Sequence, residues 1–292
     1  MRNLRAYLVA ETIDHALELV HGYPGRAAFL GGGTCLARLD APDLAAVLDL
    51  AALGLDGVEK AGNGLRLGAT LPLERLCREP LVRELGGGLL AEAAGSTRSP
   101  AWRNQATLAG RLREADPADR ITAALLVLEA RVELQRSPGA RPVELALLEA
   151  LAEKPSSLFL AVRVPELPEP GCWLFALEHL ALSALDAPIA AILVGLRIRD
   201  RRIQEARVAT SGLAPRPRRA PAVEAALIGH ASDCESFAEP QRRLRADIEA
   251  PGDHRATREY REHLAQVLLA RALGRALRQA PRERTAEAEN GL

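Results

Sequence analysis

A short apolar run that ends in three glycines decides how the fold is interpreted: RAAFLGGGTCL, residues 26–36. The apolar part, residues 26–30, predicts a buried strand, and the glycines after it predict a tight turn. Glycines let a backbone approach a ligand closely and point successive N–H groups at an anion. The stretch therefore predicts an anion-binding loop or a simple turn, and for these glycines alone the turn is the simpler interpretation.

A loop with Gly95, Ser96, Ser99 and Pro100 is predicted next, and it opens a second stretch, SPAWRNQATLAG, at residues 99–110. An acidic segment, EADPAD, follows at residues 114–119. Helical spacing predicts helices at residues 12–21, 71–77, 80–85, 89–94 and 121–128. Short apolar or alternating runs predict strands at residues 26–30, 45–50, 64–69 and 131–135. Short strands between helices indicate an α+β first domain.

A proline- and glycine-rich segment, PELPEPGC at residues 165–172, predicts the end of this domain. Beyond it the pattern predicts an apolar helix at 188–194, strands at 196–198 and 207–209 around a turn near Asp200, and helices at 220–227 and 258–277. The last helix places five residues on one face: Tyr260, Leu264, Val267, Leu268 and Leu273. We expect domains at 1–165, with lobes at about 1–55 and 56–165, and at 171–278, followed by a flexible tail at 279–292.

The composition is that of an ordinary globular protein and excludes several classes of function. Lys plus Arg and Asp plus Glu are both 38 in 292 residues, so no basic excess indicates a nucleic-acid partner. We expect neither a signal peptide nor a membrane span, since no apolar run is long enough. Four widely separated cysteines predict a reduced, cytoplasmic protein without a metal site of its own: Cys35, Cys77, Cys172 and Cys234.

Four stretches, in order along most of the chain, resemble the flavin-binding medium subunit of the molybdenum hydroxylases, the carbon monoxide dehydrogenase and xanthine dehydrogenase family. Residues 31–36, GGGTCL, are similar to its AGGTDL loop, and residues 67–70, LGAT, to its IGA(T/L)T strand end. Residues 99–110 resemble SPxIRNxATLGGN, with DPAD at 116–119 near the place of SPAAD. Residues 210–220, TSGLAPRPRRA, and 253–261, DHRATREYR, resemble the GGVAPxPxRA turn and the DxRASxxYR helix start.

The resemblance implies an α+β fold in two parts. A two-lobed FAD-binding domain of the vanillyl-alcohol oxidase (PCMH) type is followed by a small α+β carbon monoxide dehydrogenase flavoprotein C-terminal domain. It also implies a heteromeric oxidoreductase complex: a large subunit with the molybdenum cofactor and a small subunit with two [2Fe–2S] clusters. The medium subunit takes electrons from the clusters onto FAD and passes them to NAD or another acceptor. No catalytic or metal-ligating residue is expected on this chain.

The candidate FAD-binding residues fall in the glycine loop, in the second stretch and in the acidic segment. The glycines would cradle the pyrophosphate with their N–H groups, Thr34 would add a hydroxyl, and residues 107–110 would form a second cradle. Asp119 is either a ligand of the ribityl chain or a structural residue, which would be a solvated loop carboxylate or an N-cap before Ile121. The candidates are Leu30, Gly31, Gly32, Gly33, Thr34, Cys35, Leu36, Thr107, Ala109, Gly110, Arg111, Asp116 and Asp119.

Several residues depart from the family pattern within these segments. Cys35 stands where the family has Asp, Ala109 where it has Gly, Arg111 where it has Asn, and Asp116 where it has Ser. The final Asp of SPAAD is Arg120, unless Asp119 stands in for it. A carboxylate at Asp116 would repel a pyrophosphate unless an arginine intervenes. The alternative function is therefore a flavin-free scaffolding subunit with a degenerate FAD site. A free-standing FAD oxidoreductase is disfavoured, because the chain lacks a substrate domain of convincing size.

Overall fold

The computed structural model describes residues 4–38, 41–232 and 237–280. The chain begins with a three-stranded parallel sheet in the order β1-β3-β2. Its elements are β1 (Ala6–Val9), α1 (Ile13–His21), β2 (Ala27–Leu30) and β3 (Ala46–Asp49). Helix α1 begins where predicted, because the hydroxyl of Thr12 accepts a hydrogen bond from the backbone N–H of His15. The predicted strands at 26–30 and 45–50 are confirmed within a residue.

A five-stranded antiparallel sheet follows, in the order β4-β5-β8-β6-β7, with helices packed against it. The elements in chain order are β4 (Val58–Lys60), β5 (Gly64–Gly68), α2 (Leu73–Arg78), α3 (Pro80–Glu84), α4 (Leu89–Gly95), α5 (Pro100–Gln105), α6 (Leu108–Arg113), α7 (Arg120–Val127), β6 (Arg131–Gln135), β7 (Val143–Ala146), α8 (Leu147–Leu151) and β8 (Leu158–Pro165). Every residue of α7 is buried, so this helix forms the centre of the first domain's core.

The last part of the chain is a four-stranded antiparallel sheet in the order β12-β11-β10-β9, covered by three helices. The elements are β9 (Trp173–Leu180), β10 (Ala190–Arg199), β11 (Arg202–Ser211), β12 (Arg218–Arg219), α9 (Pro221–Leu227), α10 (Ala238–Asp247) and α11 (Arg258–Leu277). The helix predicted at 188–194 is wrong, since these residues lead into and form β10. This strand is buried on both faces, and a continuous apolar run does not show by its periodicity whether it is helix or strand.

Helix α11 has the predicted bounds, and Thr257 caps it by accepting from the N–H of Tyr260 at 3.2 Å. Tyr260 itself, which was predicted to lie on the apolar face, is 47 % exposed. Gln279, in the predicted tail, donates to the carbonyl of Phe175 at 2.9 Å. The rest of that tail, 281–292, and Cys234 lie outside the described residues. Within the described ranges no helix is long and apolar enough to cross a membrane.

The third sheet joins the first domain's core through one of its faces. Leu177, Leu193 and Ala209 on that face belong to the same buried cluster as α7. The ring of Phe175 fits against Gly86, Gly87 and Gly195, whose missing side chains leave room for it. The other face packs against α9, α10 and α11. The two parts of the chain are therefore held together by shared apolar packing.

Candidate functional site

A cavity of about 330 Å³ lies where the glycine loop after β2 meets the segments around α6 and β8. This volume is near the lower end of the range for small-molecule sites, roughly 300 to 1,000 Å³. Nine of the thirteen candidate residues line it: Gly31, Gly32, Gly33, Thr34, Cys35, Leu36, Thr107, Ala109 and Gly110. Leu30, Arg111, Asp116 and Asp119 do not. The two stretches singled out in the sequence thus meet at one cavity.

The glycine loop presents a row of free backbone donors. In the part of the chain that the structure describes, the N–H groups of residues 31–35 have no hydrogen-bond acceptor. Gly33 has φ +74°, a left-handed conformation that side chains rarely adopt, and it turns the loop back toward the cavity wall. Consecutive unpaired N–H groups around such a turn form a concave site for an anion. The loop therefore has the backbone chemistry of a phosphate site.

The first two glycines of the loop are required by the close approach of the second stretch. A Cβ atom on Gly32 would lie 1.5 Å from the carbonyl oxygen of Gln105, and one on Gly31 would lie 2.7 Å from Oγ1 of Thr107. The first contact is with backbone, which cannot move aside cheaply. Glycine at position 32 is therefore what allows the two stretches to meet.

The second stretch differs from the expectation of a second amide cradle. The N–H of Ala109 donates to the carbonyl of Ala69 at 2.9 Å, and the N–H of Gly110 donates to Oγ1 of Thr107 at 3.3 Å. These amides close the start of α6 and are not available to a ligand. The methyl group that Ala109 adds at the family's glycine position therefore does not block a phosphate-binding amide, because this amide is already occupied. The hydroxyl of Thr107 accepts from Gly110, and its own proton is free to donate to a ligand.

Cys35 links the two stretches. Its Sγ atom lies 3.0 Å from the carbonyl oxygen of Gly110 and 3.4 Å from Oε2 of Glu114. Burial, together with the nearby negative charge of Glu114, raises the pKa of this thiol to about 12. Cys35 is therefore a neutral thiol that donates to Gly110 at the place where the family pattern has an aspartate.

The acidic candidates form a buried ion cluster around Arg111, which is 4 % exposed. Its guanidinium donates to Asp119 at 2.9 Å, to Asp116 at 2.8 Å and to Glu114. Although burial opposes it, the charge of Arg111 lowers the pKa of Asp116. Asp119 accepts from the N–H groups of Ile121 and Thr122, so its position is that of the N-cap of α7. Arg111 thus offsets part of this negative charge; Asp116 and Asp119 lie outside the lining of the cavity, and Glu114 lies in it.

Arg113 and its neighbours on β8 were missed as cavity residues from the sequence. Its guanidinium lies 3.9 Å above the ring of Phe159 and donates to the carbonyls of Glu153 and Ser157. Among the described residues no carboxylate lies within 4 Å of it, and burial lowers the pKa of Arg113 to about 10. A desolvated, unpaired cation at a cavity wall favours an anionic ligand. No local sequence signal could have identified it, because Phe159 is 46 residues away.

The remaining lining combines apolar and charged residues. Phe29, Leu50, Leu158 and Phe159 form an apolar wall, and Arg38 lies on the same cavity with Glu114. Arg38 and Glu114 form an ion pair at 2.9 Å. The arrangement can bind an anion that is attached to a flat apolar group. Across residues 4–38, 41–232 and 237–280 no group of three His, Cys, Asp or Glu side chains is placed to hold a metal ion.

Two families match the chain in succession. Residues 2–167 match the FAD binding domain in molybdopterin dehydrogenase, and residues 176–276 match the CO dehydrogenase flavoprotein C-terminal domain. The glyceraldehyde dehydrogenase medium chain of Sulfolobus acidocaldarius is 24 % identical over 91 % of this chain and 96 % of its own length. The carbon monoxide dehydrogenase medium chain of Hydrogenophaga pseudoflava is 25 % identical over 92 % of this chain and 96 % of its own.

Solved structures agree with these matches. A structure of carbon monoxide dehydrogenase from Hydrogenophaga pseudoflava, which lacks the Mo-pyranopterin moiety of the molybdenum cofactor, superimposes with a TM-score of 0.87 at 25 % identity, covering 94 % of this chain and 98 % of that one. Quinoline 2-oxidoreductase from Pseudomonas putida 86 shares the fold, with a TM-score of 0.85 at 20 % identity over 94 % and 98 % of the two chains. The chain therefore belongs to the family of FAD-binding domains in molybdopterin dehydrogenases and is an oxidoreductase subunit of the molybdenum hydroxylase type.

Proposed function

We propose that this chain binds FAD in the cavity formed by the glycine loop and α6 and serves as the electron-transfer subunit of its complex. Electrons would reach the FAD from [2Fe–2S] clusters on a small subunit and leave to NAD or another acceptor. A large subunit would carry the molybdenum cofactor. The observation that carries the proposal is the row of free N–H groups at residues 31–35 on the same cavity as the unpaired guanidinium of Arg113.

These residues match the chemistry of the nucleotide half of FAD. The pyrophosphate carries negative charge and acceptor oxygens, which the amides of the glycine loop and the hydroxyls of Thr34 and Thr107 can satisfy. Arg113 is fixed by two carbonyls and by the ring of Phe159, so it meets a phosphate without losing side-chain freedom on binding. The apolar wall at residues 158–159 provides a surface for a flat ring.

The redox chemistry belongs to the cofactor, since bound FAD accepts and releases electrons through its isoalloxazine ring. The chain supplies binding and exclusion of water. The capped start of α6 and the thiol of Cys35 hold the second stretch rigidly against the glycine loop. A rigid, preformed loop loses little conformational freedom when the ligand binds, which favours affinity.

Among the described residues that line the cavity, Glu114 is the one whose charge opposes an anionic ligand. Its carboxylate lines the cavity, yet it is paired with Arg38 at 2.9 Å and with the buried Arg111. These two cations offset its charge, and Arg113 adds a positive charge that has no carboxylate within 4 Å among the described residues, although the charge of Glu153 acts on it. The balance therefore favours an anion at the glycine loop.

Glu114 and the occupied amides of the second stretch also favour the second candidate function, a flavin-free scaffolding subunit. In that case the chain would keep the fold and its docking surfaces for the large and small subunits without carrying electrons. For both candidate functions we propose a cytoplasmic location. We also propose that the chain is divided into domains at 1–165 and 171–278. The two functions differ in one measurable property, the presence of flavin in the assembled complex.

The test is to purify the complex with its neighbouring subunits and to record its visible absorption spectrum before and after heat release of the cofactor. FAD binding should weaken by about tenfold or more in Arg113→Gln, because a charged hydrogen bond contributes roughly 1.5–3 kcal/mol. Arg131→Gln is the matched control, since Arg131 pairs with Glu144 on the exposed side of β6 and β7. Equal FAD content in the two variants would contradict the assigned role of Arg113.

A further inference from the structure

A second pocket lies at the edge of the three-stranded parallel sheet where its strands begin. Its volume is about 440 Å³, and the described residues that line it are Arg5, Gly25, Arg26, Pro42 and Asp43. The glycine loop lies at the other end of β2, which has four residues, so about 13 Å of strand separate the two places. None of these five residues lines the cavity proposed for FAD. This Arg5–Arg26 pocket is therefore separate from the FAD site.

The backbone of the middle strand holds the two arginines on either side of one alanine. The carbonyl of Ala45 accepts from the N–H of Arg5 at 2.8 Å, and the N–H of Ala45 donates to the carbonyl of Arg26 at 2.8 Å. Neighbouring strands are about 4.8 Å apart, so the backbones that flank the middle strand are about 10 Å apart. Both arginines line the same pocket, and side chains of this length can converge on one anion between them.

The charged side chains of the pocket have no partner in the described part of the chain. No hydrogen bond, ion pair or ring contact involves the guanidinium of Arg5 or Arg26, and none involves the carboxylate of Asp43. Other arginines of this domain are paired even where they are exposed, as Arg131 is with Glu144 at 2.8 Å. Two cations and one carboxylate that share a pocket without bonding to one another favour a ligand as their common partner.

The charges in the pocket favour a phosphate group over a carboxylate. A phosphate monoester carries a charge of about −1.5 to −2 at pH 7 and three acceptor oxygens, which suits two guanidinium groups. A carboxylate carries one charge and two oxygens, and it would leave one of the two arginines unmatched. Asp43 can only accept hydrogen bonds when it is ionised, so it requires a hydroxyl or amino group on the rest of the ligand.

We propose that the Arg5–Arg26 pocket binds a small phosphate monoester that also carries a hydroxyl or amino group. Arg5 and Arg26 hold the phosphate from two sides, and Asp43 accepts a hydrogen bond from the hydroxyl or amino group. The N–H of Gly25 lies in the lining of the pocket and has no acceptor among the described residues, so it is available to the phosphate. The volume falls within the range of small-molecule sites, roughly 300 to 1,000 Å³.

The test follows the amide resonances of the full chain, isotopically labelled at the glycine nitrogens, during a titration with inorganic phosphate at constant ionic strength. The Gly25 resonance is identified by its loss in Gly25→Asn, because asparagine tolerates the φ of +68° at this position. We expect a saturable shift of this resonance in the wild-type protein. Arg5→Gln and Arg26→Gln should each weaken binding by about tenfold. Arg242→Gln, whose side chain is 72 % exposed on α10, should behave as the wild type.

A second probe, glycerol phosphate, tests the role of Asp43. It is a phosphate monoester with hydroxyl groups, so the wild-type protein should bind it more tightly than inorganic phosphate. Asp43→Ala should abolish this preference. The same variant should tighten the binding of inorganic phosphate by roughly two- to fivefold, because a nearby negative charge has been removed. Equal affinity of the wild type for the two probes would contradict the assignment of a hydroxyl or amino group to the ligand.

The glycine spectrum also separates this proposal from the proposed FAD site, because residues 31–33 report on the glycine loop. A shift of those resonances while Gly25 stays unmoved would overturn the phosphate pocket and leave FAD binding untouched. Equal affinity in the wild type, Arg5→Gln and Arg26→Gln would also overturn it. Both arginines are exposed and form no side-chain contact with the described residues, so these variants should fold as the wild type does.

Discussion

Replacing Arg111 by methionine should destabilise the protein strongly, because one buried guanidinium forms ion pairs with three carboxylates. Asp119, the most buried of them at 2 % exposure, would lose the one cation that lies within 4 Å of it among the described residues. Breaking a buried ion pair by removing one partner costs about 3–5 kcal/mol. Asp119 retains the N–H groups of Ile121 and Thr122, so we expect a loss at the lower end, about 3 kcal/mol. Methionine fills a similar volume, which keeps the packing term small.

The assay is the free energy of unfolding from urea denaturation at pH 7, with Arg38→Ala as the control. Arg38 pairs with the same Glu114, yet its side chain is 55 % exposed. An exposed ion pair contributes at most about 1 kcal/mol, so this variant should remain near the wild type. If Arg111→Met costs no more than Arg38→Ala, the assignment of Arg111 as the centre of the cluster is refuted.

The difference in the free energy of unfolding between wild type and Arg111→Met should depend on pH in one direction. Burial raises the pKa of Asp116, but Arg111, with a smaller contribution from Arg98, brings it below its ordinary value in the folded protein. Such a carboxyl contributes stability that is fully present above its unfolded pKa, about 3.9, and is lost as the pH falls through the folded pKa. The stability difference between wild type and Arg111→Met should be constant from about pH 6 to 8 and shrink below about pH 4.

Three further predictions concern the loop, the thiol and the C-terminal helix. Gly32→Ala should abolish FAD binding and lower stability, because its Cβ would lie 1.5 Å from a carbonyl oxygen, whereas Gly57→Ala, with open space around it, should be neutral in the same assays. Alkylation of Cys35 at pH 8, followed by peptide mass analysis, should be at least about a hundredfold slower in the folded than in the unfolded chain, because its pKa is raised to about 12; equal rates would contradict the contact with Gly110. Asp253→Asn should cost about 1–3 kcal/mol, since it leaves the buried Arg261 without its carboxylate. Burial raises the pKa of Asp253, but its hydrogen bonds outweigh this effect and lower the pKa to about 2. The loss of stability in Asp253→Asn should therefore be complete above about pH 4 and diminish as the pH falls toward about 2. A loss that persists unchanged at low pH would argue against the ion pair of Asp253 with Arg261.

Local signals in the sequence were enough for the elements whose ends are set by nearby residues. Helix α11 has the predicted bounds because Thr257 caps it and its apolar residues repeat at helical spacing. The strand at residues 27–30 was identified because it is short and ends in glycines. In such elements the deciding interactions lie within a few residues of one another, so the pattern and the structure agree.

Elements that depend on distant partners were not accessible in the same way. The run at residues 190–199 is buried on one face by α7 and on the other by α11, so it has no polar side to reveal a period of two. Strands β8 and β9 were not predicted as elements for the same reason, since both are almost wholly buried. Strand β8 is fixed by pairing with β5 and β6, earlier in the chain, and β9 by pairing with β10, the strand that follows it.

The same distinction applies to the candidate site. The glycine loop was identified because glycine is the residue type that such a turn requires. Which N–H groups remain free depends on where acceptors lie in the folded chain. The N–H of Ala109 is occupied by the carbonyl of Ala69, and that of Gly110 by the hydroxyl of Thr107. The arginine that lines the cavity is Arg113 and not Arg111, because Arg111 is turned inward to the acidic cluster.

The central claim, that this chain carries flavin, is tested most directly by the visible spectrum of the purified complex and its FAD content after heat release. We predict the absorption bands of oxidised flavin and one FAD per chain, which would show that the free amides of the glycine loop hold the cofactor. An intact complex without flavin would contradict the claim and leave this chain as a scaffolding subunit.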